Sequence, residues 1–121
     1  MKIQILNDDF AVCKVNNISD KILKEDFVFI GKTDEELSLV CKSSLVPNDA
    51  QKVSNGWRAF RICGVLDFSL IGVLANISNL LSENNISIFA ISTYNTDYIL
   101  VKQMDFKKAI NVLAAAGIEY V

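Results

Sequence analysis

Leu70-Ile71-Gly72-Val73-Leu74-Ala75-Asn76-Ile77-Ser78-Asn79-Leu80-Leu81-Ser82 decides the fold of the second half of the chain. Its apolar residues Leu70, Val73, Leu74, Ile77, Leu80 and Leu81 recur at helical spacing and form one stripe. The spacing predicts a helix from about Leu70 to Ser82. Asp67-Phe68-Ser69 supplies N-cap chemistry before it. Asn84-Asn85 ends it, because asparagine tolerates the left-handed conformation that closes helices. Upstream, Trp57 to Leu66 is rich in strand formers. Downstream, Ile86 to Ser92 and Tyr98 to Val101 are β-branched runs separated by Thr93 to Asp97, a length that suits a hairpin. Asp105 then caps a second helix with Phe106, Ala109, Ile110, Leu113 and Ala116 on one face. Gly117 stands where a helix terminator belongs, and Ile118 to Val121 is a last strand. The order is β-α-β-β-α-β, a ferredoxin-like split βαβ unit.

The first half repeats this order more weakly. Phe10 to Val15 reads as a strand and Ser19 to Asp26 as a short helix with a serine cap. Phe27 to Ile30 and Leu37 to Cys41 read as a hairpin, and Pro47 suits the first turn of a helix reaching about Val53. Its closing strand is missing before Gly56; Ile3 to Leu6 is the available filler. The expected architecture is α+β: two tandem ferredoxin-like βαββαβ units, the first degenerate, with antiparallel sheets and helices on one face. The expected units are 1–56 and 57–121.

Composition narrows the function. Of 121 residues, 51% are hydrophobic, ample for a core. The 12 Lys+Arg are outnumbered by 14 Asp+Glu, which argues against a nucleic-acid binder that neutralises phosphates. Histidine is absent, which removes every Ser-His-Asp or Cys-His mechanism. Cys13, Cys41 and Cys63 have no short spacing and read as reduced, mostly buried thiols, giving neither a disulfide framework nor a zinc site. The longest uncharged stretches, 68–82 and 84–96, are shorter than the roughly 20 residues of a membrane span. A cytoplasmic protein with no cofactor, no nucleic-acid partner and no membrane association is expected.

The runs Leu66 to Ala75, Asn85 to Tyr94 and Thr96 to Val101 resemble ACT domains. The first half joins the resemblance through Phe10-Ala11-Val12-Cys13 and Leu37-Ser38-Leu39-Val40-Cys41. The nearest group looks like small bacterial tandem-ACT proteins, similar to the regulatory repeats of aspartate kinases and to the animal cellular arginine sensors. The resemblance implies a non-catalytic regulatory or sensor protein that binds a free amino acid at an interface between repeats, works as a homodimer and acts on a further protein partner. An alternative is an interaction module that oligomerises through its ACT-like units without a small ligand.

An amino acid's carboxylate needs donors, and the turn from Asp67 through Phe68 and Ser69 to Ile71, Gly72 and Val73 offers helix-start N–H groups. Gly72 would let another backbone approach closely. An ammonium group needs acids. Asp67 and Asp97 stand in a region whose only other ionisable acid or base is Glu83. Backbone groups of Ile91, Ser92 and Thr93, with two hydroxyls, complete the candidate pocket. Each residue has a plainer reading too: Asp67 and Ser69 as a capping pair, Gly72 as a packing glycine, Asp97 as a turn residue.

Overall fold

A computed structural model describes residues 1–64 and 72–121. Asp67, Phe68, Ser69 and Ile71 therefore lie outside the described residues, with Leu66 and Leu70. The elements are β1 (Lys2–Lys14), α1 (Asp20–Leu23), β2 (Phe29–Lys32), β3 (Leu37–Lys42), a 3-10 turn (Ser43–Leu45), β4 (Lys52–Ile62), α2 (Val73–Glu83), β5 (Ile88–Ser92), β6 (Asp97–Lys102), α3 (Gln103–Ala115) and β7 (Glu119–Tyr120). Contacts divide the chain into a larger body, Met1–Asn7 with Arg58–Val121, and a smaller one, Asp8–Trp57.

In the larger body the strands follow the order β7-β1-β4-β6-β5. Antiparallel pairing of β5 with β6 sets Ser92 opposite Asp97, and Cys63 N–H donates to the Lys2 carbonyl at 2.9 Å. β7 pairs parallel with β1, Lys2 against Glu119 and Ile3 against Tyr120. The element order β-α-β-β-α-β read from the second half is present. Its last strand, however, pairs with the N-terminal strand, whereas a simple split βαβ unit would place it beside the unit's own first strand. The core unites Ile3, Phe60, Ile62, Ile99 and Val101 from strands with Ile77 and Leu81 of α2 and Ala109, Ile110 and Leu113 of α3.

Both long helices end alike. Asn85 takes φ 60° and Gly117 φ 88°. Ile86 N–H reaches the Leu81 carbonyl, and Ile118 N–H the Leu113 carbonyl, each at 3.0 Å. Each pair is also buried in the core, completing the hydrophobic contact of a Schellman terminus. The helix starts differ from expectation. α2 begins at Val73 with Gly72 as its N-cap at φ 87°, later than the start expected near Leu70, and Ser69 lies outside the described residues. For α3 the cap is Lys102, and Asp105 sits in the first turn, where a carboxylate still favours the helix dipole.

The smaller body orders its strands β2-β3-β1, antiparallel throughout, with Phe10 opposite Lys42 and Phe29 opposite Val40. Ala11, Cys13, Val15, Ile22, Leu39 and Cys41 form its core. Ser19 caps α1 as read, accepting from Ile22 N–H at 3.3 Å, but the helix is one turn long. Ile3 to Leu6 and Phe10 to Val15, read as separate stretches, join through Asn7-Asp8-Asp9 into the single strand β1, since backbone pairing overrides weak strand propensity. One expected helix is also absent here. The helix expected from Pro47 is a turn closed by Ala50 N–H to the Pro47 carbonyl at 3.2 Å. The chain then extends as β4, because Gln51 N–H finds the Lys14 carbonyl at 2.8 Å and Val53-Ser54-Asn55-Gly56 are poor helix formers.

The two hairpins are built alike. Thr33 N–H and Thr93 N–H each donate to the carbonyl three residues on, at 2.9 Å. Both threonine hydroxyls also accept from that residue's N–H. In the strands that follow, 39–41 and 99–101 are buried in the same positions. Among the described residues no helix is long and apolar enough to cross a membrane.

Candidate functional site

The turn end of the β5–β6 hairpin gathers three of the candidate residues. Ser92 and Asp97 face each other in register, and the serine hydroxyl donates to an Asp97 carboxylate oxygen at 2.5 Å. Because side chains alternate along strands, Ser92 and Asp97 share the side of Ile88, Ile99 and Val101, which faces the helices. Thr93 is committed to the turn, its hydroxyl donating to the Thr96 carbonyl at 2.9 Å. Thr96 is 8% exposed and donates its hydroxyl to the Ile62 carbonyl at 2.8 Å, tying the turn to the end of β4. Ile91, opposite Tyr98, points to the other side of the sheet.

Gly72 and Val73 stand at the start of α2. Nothing among the described residues lies within 4 Å of where a Gly72 side chain would begin, so no close backbone approach explains this glycine. The positive φ explains it instead. Val73 packs its side chain against the core, which leaves its backbone N–H as the group it offers. Asp67, Phe68, Ser69 and Ile71 belong to the undescribed segment.

On the sheet side away from the helices, Gln4, Arg61, Cys63, Thr93, Asn95 and Tyr98 line a cavity of about 290 Å³. Arg61 donates from Nε to Gln4 Oε1 at 2.9 Å and from Nη1 to the Tyr98 hydroxyl at 3.2 Å. Thr93 is the single sequence-derived candidate in this lining. Gln4, Arg61, Asn95 and Tyr98 were not legible as a group, although the cation in Ala59-Phe60-Arg61-Ile62 stands out within an apolar strand.

Catalytic and metal chemistry find little material. The chain has no histidine, and the described residues hold no cluster of three His, Cys, Asp or Glu side chains able to bind a metal. Cys13 and Cys41 are buried free thiols in the smaller body. Burial pushes both pKa values up, that of Cys41 to about 11, where its neighbour Cys13 adds to the effect. Such thiols are poor nucleophiles near neutral pH.

Comparison with known proteins places this geometry. The ACT domain family model matches residues 52–115, and a second model, described as an N-terminal domain, matches residues 8–49. No curated protein matches the chain. A protein from Agrobacterium tumefaciens of known crystal structure is 33% identical, with a TM-score of 0.89 over 99% of this chain and 91% of that one. The ligand-free regulatory subunit of aspartate kinase from Thermus thermophilus is 10% identical, with a TM-score of 0.65 over 94% and 95% of the two chains. Aspartokinase alpha and beta subunits give 17% identity and a TM-score of 0.63 over 96% and 97%. These last two likenesses are of fold alone. With more than half its length matched by the family model and its elements in an α+β arrangement of that type, the chain belongs to the ACT domain family.

Proposed function

We propose that this protein is a non-catalytic regulatory ACT protein that binds a free amino acid, works as a homodimer in the cytoplasm and signals to a protein partner. The observation that carries the reading is the Asp97 carboxylate, fixed by the Ser92 hydroxyl at the end of the β5–β6 hairpin. An acid oriented this way, within a stretch so poor in charge, suits an ammonium group. The N–H groups at the start of α2 suit the ligand's carboxylate. Two tandem βαββαβ units, the first degenerate, are part of the reading; the matching threonine-anchored hairpins support it. Signalling would arise because the ligand binds one packing of repeats or subunits better than another.

Thermal-shift measurements against the common amino acids test this. A ligand at 100 times its dissociation constant adds about 2.7 kcal/mol, so a clear rise in Tm is expected for at least one amino acid. Asp97→Asn should abolish that rise. No stabilisation by any amino acid at millimolar concentration overturns the proposal.

A second reading is favoured by one observation: β5 ends the strand order of the larger body, and its sequence Ile88-Phe89-Ala90-Ile91-Ser92 carries no charge to discourage pairing. An assembly module would use this edge. Light scattering that finds a strict monomer, with or without amino acids, removes it.

A further inference from the structure

Alternation along three strands sorts the side chains of the larger body. Ile3, Ile62, Ile99 and Val101 enter the core with α2 and α3. Gln4, Arg61 and Tyr98, one position out of step, therefore stand on the side away from the helices. There they line the cavity of about 290 Å³ with Thr93 and Asn95.

We propose that this cavity is a binding site for the carboxylate of a small organic acid, anchored by Arg61. Three features carry the assignment. First, the guanidinium is already oriented: Gln4 holds Nε at 2.9 Å and the Tyr98 hydroxyl holds Nη1 at 3.2 Å. A planar donor fork fixed before the ligand arrives loses little freedom on binding and matches the two oxygens of a carboxylate. Second, the described lining adds the carboxamide of Asn95 and the hydroxyl of Thr93 and contains no carboxylate side chain to repel an anion. Third, the wall is rigid. The Thr93 turn is closed on Thr96 and pinned to Ile62 through a buried hydroxyl bond of 2.8 Å. The volume falls at the low end of the roughly 300–1,000 Å³ usual for small-molecule sites, which restricts the ligand to a small acid.

This site shares the hairpin turn with Asp97 but lies on the opposite side of the sheet, since Asp97 faces the helices. It stands or falls on its own.

Succinate is the probe, titrated into the isotopically labelled protein at constant ionic strength, with amide shifts followed by NMR. Saturable shifts are expected at residues 61–64 and 93–98. Arg61→Gln should weaken binding by at least about tenfold, because a charge-assisted bidentate pair is lost. Tyr98→Phe keeps the charge and removes the hydroxyl that holds Nη1. Loss of that hydroxyl contact should weaken binding measurably, and the variant serves if Arg61→Gln does not fold. The proposal is overturned if wild-type protein shows no saturable shifts, or if both variants respond as wild type does. Equal saturation by inorganic phosphate under the same conditions overturns it as well, since the site would then lack preference for a carboxylate. Asp97→Asn should leave succinate binding intact, which separates a failure here from a failure of the amino-acid reading.

Discussion

Gly72 holds φ 87° ahead of α2, and no described residue lies within 4 Å of the place where a side chain would begin. Its replacement by alanine is therefore resisted by the backbone alone, and Gly72→Ala should cost about 1–2 kcal/mol in urea unfolding. The buried thiols give a pH prediction. Cys13 and Cys41 have folded pKa values above the ordinary 9.0, Cys41 at about 11. The folded state thus favours the protonated thiols. Their contribution to stability is complete below pH 9 and is lost as pH rises from 9 towards 11. Urea midpoints should fall across that window, and Cys41→Ala should flatten the fall. Half-buried Cys63 should react first with a thiol dye at neutral pH. At this scale the sequence spoke unevenly. The buried thiols were legible from their strand positions, whereas the grouping of Gln4, Arg61 and Tyr98 was not. Alternation assigns each to a face of its own strand, but only long-range register brings three strands' faces together.

Helix ends were the most legible elements, because each depends on a few neighbouring residues. Asn85 and Gly117 both take the left-handed conformation for which the sequence marked them. Asn85→Ala should destabilise by about 1 kcal/mol, and Asn85→Gly should be neutral or mildly stabilising, as read by thermal unfolding. The starts were less legible. The stripe places the start of α2 near Leu70, whereas α2 starts at Val73, behind a glycine whose positive φ has no signature in composition. Pro47 misled for a related reason. Its preference for a first helical turn is local, while the Lys14 carbonyl that draws Gln51 into extended pairing lies far away in sequence. Ile3 to Leu6 and Phe10 to Val15 join into one strand for a similar reason, with Asp8 placed 3.6 Å from Lys42 across the ladder.

For the whole molecule, membership in the ACT family was legible because its motif is local to α2 and the β5–β6 hairpin. The strand order was not, because β7 joins β1 from the other end of the chain. Three backbone bonds hold that junction: Glu119 N–H to Met1, Val121 N–H to Ile3 and Ile5 N–H to Val121, at 3.3, 3.0 and 2.8 Å. Removing residues 119–121 should lower stability by about 2–3 kcal/mol in urea, at about 1 kcal/mol for each bond. The same junction governs the order of events during folding. Residues 2–5 precede their partners 119–121 by more than a hundred positions, so the larger body cannot close until residue 121 is available to pair. Folding of this body is therefore expected to be slow for its size, as the large sequence separation of its contacts demands.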